Sequence, residues 1–256
     1  MFPVAFSLGA FPVHTYGLLM ALAFAGALVV AVQLGKEVGI ETDDISDLSI
    51  LALVSGLIGA RLMFVLVEWD QFAGAPRSIL LRRDGFVFYG GLLLATPSVI
   101  WFIKRKNIDV RKAADVFAPA LALGHSIGRL GCFAQGCCYG RPFDYGLTFP
   151  LESPPSYVFG EVPIHPTQLY ESLTLLFVFG WLINYRTKKR FDGEVFLIYL
   201  VIYSTIRFGI EFLRADDRGF YMGQMSVSQL VSLLIFSVSL VLIVKCRKAS
   251  ISDSIA

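Results

Sequence analysis

Long runs of apolar residues follow one another along the chain, and short polar connections separate them. Each run is about 18–22 residues long, which is the length of helix that crosses a hydrocarbon core of about 30 Å. The predicted spans are 15–34, 48–66, 86–103, 113–133, 166–184, 193–213 and 222–244. The pattern therefore predicts an all-α polytopic membrane protein with about seven transmembrane helices in a single domain, 1–256.

Composition supports this interpretation. Hydrophobic residues make up 55% of the chain and charged residues only 16%, whereas a soluble globular domain has about 25% charged residues. One connection is unusually long: the segment 134–165, between spans 4 and 5, is rich in glycine and proline, which disfavour a continuous helix. We expect a small cap with short strands there, a second outer loop at 67–85 and a disordered tail at 249–256.

The distribution of charge predicts the orientation. The net charge is only +2, but every lysine falls in an alternate connection or in the tail: Lys36, Lys104, Lys106, Lys112, Lys188, Lys189, Lys245 and Lys248. By the positive-inside rule these connections are cytoplasmic. We therefore predict an N-terminus outside, an extracytoplasmic cap and a cytoplasmic tail at about 245–256.

Three arginines, Arg61, Arg129 and Arg207, lie inside predicted spans. An arginine at the centre of a span costs roughly 2.5–3.5 kcal/mol, so it normally faces a cavity or a partner. Guanidinium groups suit phosphate oxygens, which suggests an anionic ligand. The alternative is internal pairing: Glu211 and Tyr203 share a helix face with Arg207, and Arg61 could donate to backbone carbonyls.

The end of span 4 carries the densest chemistry. His125 and Arg129 are four residues apart, and the chain then enters a glycine-rich loop that ends at Gly140. Cys132, Cys137 and Cys138 lie in this loop, and Cys246 lies near the end of span 7. The spacing matches no standard zinc pattern, so we expect no metal ion. A disulfide with one spare thiol is the preferred interpretation, and a redox pair or a metal site are the alternatives.

These residues resemble the prolipoprotein diacylglyceryl transferase family. The strongest motif is His125-Ser-Ile-Gly-Arg129-Leu-Gly-Cys132-Phe-Ala-Gln-Gly-Cys137-Cys138-Tyr-Gly140-Arg141. Further similar segments occur in the family's order: His14-Thr-Tyr16-Gly17, Gly59-Ala-Arg61, Phe88-Tyr89-Gly90-Gly91, His165-Pro-Thr-Gln-Leu-Tyr-Glu171, Tyr203-Ser-Thr-Ile-Arg207 with Glu211-Phe-Leu-Arg214, and Met222-Gly-Gln224. The similarity therefore covers nearly the whole chain.

The resemblance implies a bacterial inner-membrane enzyme. It would move the diacylglyceryl group of phosphatidylglycerol to the lipobox cysteine of a prolipoprotein, releasing glycerol 1-phosphate, with no cofactor. We expect membrane lipid and no nucleic acid among its partners, and the sequence leaves the oligomeric state open. The candidate catalytic residues are Arg129, Arg207 and Tyr89. The candidate substrate-binding residues are Tyr16, Arg61, Gly90, Gly91, His125, Cys132, Cys137, Gly140, Tyr203 and Glu211.

The chain departs from the usual family pattern at three positions. Tyr89 replaces a histidine, Cys132 replaces an asparagine and Cys137 replaces a glutamate. The proton acceptor is therefore open, with Tyr89 and the lipid phosphate as alternatives. The departures also motivate other functions: a related lipid transferase with a different acceptor, a membrane thiol oxidoreductase that uses the three cysteines, or a lipid-binding protein without turnover. A transporter for an anionic solute is disfavoured, because the chain shows no internal repeat.

Overall fold

The computed structural model describes residues 4–9, 11–72, 85–215, 221–222 and 225–255. Long helices dominate this part of the chain, as the apolar runs predict. The α-helices are α1 (Thr15–Glu37), α2 (Thr42–Val67), α3 (Trp69–Phe72), α4 (Phe88–Arg105), α5 (Val110–Gln135), α6 (Pro154–Phe159), α7 (Thr167–Tyr185), α8 (Glu194–Glu211) and α9 (Val227–Ile255). The strands are β1 (Val4–Leu8), β2 (Phe11–His14), β3 (Pro142–Leu147), β4 (Tyr221–Met222) and β5 (Met225–Ser226).

A long helix lies over each of the seven predicted spans. Within the described residues, four helical segments are long and apolar enough to cross a membrane: Thr15–Glu37, Thr42–Val67, Val110–Gln135 and Val227–Ala249. The fold is therefore mostly helical and carries membrane-spanning candidates. Of the predicted outer loop 67–85, residues 73–84 lie outside the described residues.

Two predictions about the C-terminal region were wrong. The last long helix begins at Val227 rather than at 222, because Tyr221–Met222 and Met225–Ser226 are short strands that pair antiparallel. The tail expected to be disordered continues the same helix to Ile255. The apolar pattern also did not predict the two N-terminal strands, β1 and β2, which pair antiparallel.

The chain divides into two compact units, one of residues 1–31 and 114–256 and the other of residues 32–113. In the smaller unit, α2 packs closely against α4 through glycines. A Cβ at Gly59 would lie 2.7 Å from the Leu94 Cβ and would overlap the Gly90 carbonyl oxygen, while a Cβ at Gly91 would lie 2.9 Å from the Gly56 carbonyl oxygen. Small residues at such crossings let helix backbones approach each other.

The larger unit has an apolar core formed by α5, α7 and α8. Its buried members are Ala118, Ala122, Val178, Leu182, Val195 and Tyr199. Towards the middle of α5 and α7, Ser126 and Ser172 each donate to the other's carbonyl oxygen at 2.8 Å. These reciprocal bonds require the two backbones to lie close together, which fixes where α5 ends relative to α7.

A buried carboxylate orders the start of α8. Asp115 accepts from the Gly193 and Phe196 amides at 2.9 and 3.1 Å and pairs with Lys189 at 2.9 Å. Gly193 has a φ of 97°, a conformation that favours glycine. An anion at a helix N-terminus satisfies its unpaired amides and its dipole, so Asp115 stabilises α8 in its register.

The segment 134–165 forms a small folded connection between α5 and α7. It contains β3, which makes bridges with Ile164 through Pro142 and Leu147, and the short helix α6. Tyr139, Phe149 and Ile164 form its buried core. The strand agrees with the expectation of short strands in this segment.

Candidate active site

Arg129 lies in the last two turns of α5 and faces α7. Its Nη2 pairs with the Oε1 of Glu171 at 2.9 Å, and the Glu171 side chain is 1% exposed. The Arg129 guanidinium also lies within electrostatic range of the Tyr203 hydroxyl on α8. Arg129 therefore ties α5 to α7 through an ion pair, and a buried carboxylate balances its charge.

Arg207 lies one turn beyond Tyr203 on α8 and is buried. It pairs with Glu211, as the four-residue spacing predicts, and donates to the Ser228 hydroxyl of α9 at 3.1 Å. The Tyr203 hydroxyl interacts electrostatically with both arginines and with Glu171. Both guanidinium groups therefore lie within electrostatic range of Tyr203, which the sequence alone did not show.

His125 has an internal partner. Its Nδ1 lies 2.9 Å from the Tyr199 hydroxyl, and its ring lies 5.1 Å from the Tyr203 ring, centroid to centroid. The histidine thus contacts two tyrosines of α8, Tyr199 and Tyr203. Tyr16, at the start of α1, lies within electrostatic range of Arg129 and of the three cysteines, and the residue is 39% exposed.

The loop after α5 brings the three cysteines together. The sulfur atoms of Cys132, Cys137 and Cys138 all lie within 4.8 Å of one another. All four cysteines of the chain are free thiols, so the structure does not contain the disulfide that the sequence favoured. Hydrogen bonds from the other two thiols, together with Arg214, lower the pKa of the Cys138 thiol.

Gly140 allows a tight crossing of three segments. A Cβ at this position would lie 2.5 Å from the His165 Cβ and 2.8 Å from the Leu213 carbonyl oxygen. The Gly140 amide donates to the His165 carbonyl at 3.1 Å, and Gly140 forms a bridge with Arg214. Gly140 therefore holds the cysteine loop, the residues 136–140 that follow α5, against the end of α8. Its contribution to the site is structural.

The remaining predicted residues belong to the smaller unit. Arg61 donates to the Gly85 carbonyl at 3.1 Å and lies over the Phe64 and Phe86 rings. This is the backbone-carbonyl alternative that the sequence left open. Gly90 and Gly91 are buried at the crossing of α2 and α4. Tyr89 is 37% exposed and makes an edge contact with Phe88.

The sequence alone did not show the partners of these residues. Glu171 received no role, although a carboxylate inside an apolar run was a signal for it. Thr167 and Gln168 also went unnoticed; they donate to the carbonyls of Cys138 and Cys137 at 2.6 and 2.7 Å. Both belong to the family-like segment that begins at His165, but nothing local indicates that they reach the cysteine loop.

Apolar helices that carry buried arginine–carboxylate pairs define an α-helical membrane protein with a charged site inside its helix bundle. The model of the prolipoprotein diacylglyceryl transferase family matches residues 3–245. The chain therefore belongs to this family.

Several relatives are named phosphatidylglycerol–prolipoprotein diacylglyceryl transferase. The protein of Finegoldia magna is 35% identical over 252 residues, covering 98% of each chain. That of Clostridium tetani is 33% identical over 233 residues, covering 91% of this chain and 93% of the relative. That of Bacillus cereus is 34% identical over 255 residues, covering 98% and 94%. The similarity therefore extends over essentially whole proteins.

Proposed function

We propose that this protein transfers the diacylglyceryl group of phosphatidylglycerol to the lipobox cysteine thiol of a prolipoprotein and releases glycerol 1-phosphate. The observation that carries the proposal is that Arg129 and Arg207, each paired with its own carboxylate, both lie within electrostatic range of Tyr203, in a chain that belongs to the transferase family. The relatives' names supply the two substrates. The two arginines agree with a phospholipid donor, because guanidinium groups bind phosphate oxygens.

The two guanidinium groups bind the phosphate and stabilise the charge that grows on it as it leaves. A guanidinium has five N–H donors, so one group can bind a carboxylate and a phosphate oxygen together. Glu171 and Glu211 hold the arginines in place before the lipid arrives. Donors that are already oriented in a site of low dielectric stabilise developing charge most strongly.

The chemistry is a displacement at a glyceryl carbon. The acceptor sulfur forms the new bond as a thiolate, because a neutral thiol is a weak nucleophile. The bond between that carbon and the phosphate oxygen breaks, and its electron pair stays on glycerol 1-phosphate. Tyr203, Glu211, His125 and Gly140 shape the phosphate end of the site, with Tyr16 beside the cysteine loop.

Other roles rest on the family resemblance. Tyr89, at the family's histidine position, is the proposed catalytic residue of the smaller unit. Arg61, Gly90 and Gly91 are the proposed substrate-binding residues there, with Cys132 and Cys137 in the loop after α5. The chain acts as a single transmembrane domain of seven spans in the bacterial inner membrane. Its N-terminus and the 134–165 cap lie outside, and its tail from about 245 is cytoplasmic.

Rescue of a bacterium depleted of its own diacylglyceryl transferase tests this function. Expression of this chain should restore lipid modification of a reporter prolipoprotein, read as a mass increase of the reporter. The Arg207→Gln variant, at equal membrane abundance, should restore none of it. Unmodified reporter in cells that hold abundant wild-type protein would contradict the proposal.

A further inference from the structure

Three thiols meet at the point where α5 gives way to the cysteine loop. Cys132 occupies the last turn of α5, and Cys137 and Cys138 follow it directly. Their sulfur atoms lie within 4.8 Å of one another, and each residue is partly buried. A single disulfide would involve only two of these three sulfur atoms and would leave the third thiol unexplained.

The loop holds this arrangement by specific backbone contacts. The amides of Gly136 and Cys137 both donate to the Cys132 carbonyl, at 2.9 and 3.2 Å, which turns the chain back over the helix end. Gly136 has a φ of 78° and Cys138 a φ of 64°. A left-handed conformation is uncommon for a residue with a Cβ and persists only where its surroundings impose it.

Two buried side chains impose that conformation. Thr167 and Gln168, each 1% exposed, donate to the carbonyls of Cys138 and Cys137. The start of α7 therefore fixes the backbone of both cysteines, and the Cys132 carbonyl at the end of α5 fixes the turn. The thiols are oriented before anything binds, which is the requirement for a metal site on a rigid scaffold.

The separation of the sulfurs suits a thiophilic metal ion. A zinc–thiolate bond is about 2.3 Å long, which places the sulfurs of a tetrahedral site about 3.8 Å apart. Small side-chain rotations close the present spacing to that value. The Arg214 guanidinium hydrogen-bonds Cys138, and Arg129 lies within electrostatic range of Cys132 and Cys138. Both cations offset the negative charge of three thiolates.

We propose that Cys132, Cys137 and Cys138 bind one Zn²⁺ ion and leave its fourth coordination position for the acceptor thiol. Three protein ligands and one exchangeable position are typical of catalytic zinc. The metal site stands on the cysteine geometry alone, whereas the role of the fourth position rests on the proposed function. The sequence spacing predicted no metal, because it did not show how the loop folds back.

The proposed step is a displacement that requires no oxidant. The acceptor thiol gives its proton to the lipid phosphate or to water and binds the metal as a thiolate. Its sulfur then forms a bond to the glyceryl carbon, and the bond from that carbon to the phosphate oxygen breaks. The neutral thioether is a weak ligand and leaves the ion. A metal-bound acceptor thiolate also makes a separate protein base less necessary. This matters here because Tyr89 stands at the position where the family has a histidine.

Metal analysis of the purified, reduced, full-length protein in detergent tests the site. After loading with Zn²⁺ and gel filtration, the wild type should retain about one ion per chain. The variants Cys132→Ser, Cys137→Ser and Cys138→Ser should each lose most of it. Cys246→Ser is the matched control, because Cys246 lies outside the cluster, and it should retain the full amount. Circular dichroism of each variant establishes that its helices are intact.

A second measurement needs no variant. Zn²⁺ should protect three thiols of the wild type from alkylation, and Co²⁺ should give the absorption of a tetrahedral thiolate site. A wild type with reduced thiols that retains no stoichiometric metal and shows no protection would overturn the site. Equal metal loss in the Cys246→Ser variant would overturn the assignment of the ligands.

The fourth position has its own readout. A lipobox peptide with cysteine should change the Co²⁺ spectrum, and the same peptide with serine should not. An unchanged spectrum, or transfer at full rate after the metal is removed, would disprove thiol activation while the metal site stands. Zinc-loaded protein that modifies no acceptor would instead count against the transferase function.

Discussion

A guanidinium inside a helix bundle needs partners for its charge, and the partners decide what it can do. Arg129 and Arg207 each have a carboxylate, Glu171 and Glu211, and both interact with the same tyrosine, Tyr203. Two positive groups, each paired with its own carboxylate and both within electrostatic range of one hydroxyl, are the groups that we propose receive an anion. The two carboxylates keep the pair stable without lipid.

Replacing Arg129 with glutamine removes the charge that the proposed mechanism needs most. The variant should lose transfer by at least about 100-fold, which is the usual effect of deleting one donor to a developing oxyanion. Initial rates with saturating phosphatidylglycerol measure the loss. Arg111→Gln is the control, since that side chain is 71% exposed and paired only at the surface. Near-normal turnover of a folded Arg129→Gln protein would contradict the mechanism.

Glu171→Gln tests whether a lipid phosphate occupies the place beside Arg129. Breaking a buried ion pair leaves one charge uncompensated and costs about 3 kcal/mol, so the variant should unfold at a lower temperature. Phosphatidylglycerol should restore more stability to it than to the wild type, because the phosphate replaces the missing carboxylate. Thermal unfolding in detergent measures both effects.

This experiment has two controls. The first is the exposed Glu152→Gln variant with phosphatidylglycerol, and the second is the Glu171→Gln variant with diacylglycerol, a lipid without phosphate. Neither control should show the extra stabilisation. An equal response of wild type and Glu171→Gln to phosphatidylglycerol would show that the phosphate does not contact Arg129.

At the level of helices, glycine decides how closely α2 and α4 pack. Gly59→Ala would place a methyl group on the Gly90 carbonyl oxygen and against the Leu94 side chain. Overpacking of this kind costs about 1–3 kcal/mol, so the unfolding temperature should fall. Gly180→Ala is the matched control, because no atom of the described residues lies within 4 Å of its Cβ position on α7. It should be neutral or should stabilise by up to about 1 kcal/mol. Equal effects of the two would refute the packing argument.

The sequence predicted helices well and the contacts between them poorly. Apolar runs follow from the length of a helix that crosses a bilayer, and the Arg207–Glu211 pair follows from helical spacing, so both were accessible. Arg129–Glu171 and His125–Tyr199 join different helices, and no local pattern encodes them. The paired strands before Val227 lie at the start of the predicted span 222–244. Hydrophobicity alone did not distinguish them from the first turn of a helix.

For the whole molecule, the lysine distribution predicts a membrane orientation that can be measured. Tyr145, 89% exposed in β3, should lie outside the cell, and Lys188, exposed after α7, should lie inside. In a background with the four native cysteines changed to serine, a membrane-impermeant maleimide added to spheroplasts should label Tyr145→Cys but not Lys188→Cys. Permeabilised cells should label both. Labelling of only Lys188→Cys in intact spheroplasts would reverse the proposed orientation.

Transfer of lipid to a thiol by the purified protein is the most direct test of the account. The full-length chain in nanodiscs would receive phosphatidylglycerol and a lipobox peptide, and mass spectrometry would follow the peptide while an enzymatic assay measured released glycerol phosphate. The proposed mechanism predicts a peptide heavier by one diacylglyceryl group, an equal amount of glycerol phosphate, and no product with a serine peptide. An unmodified cysteine peptide, in the presence of folded protein that binds phosphatidylglycerol, would contradict it.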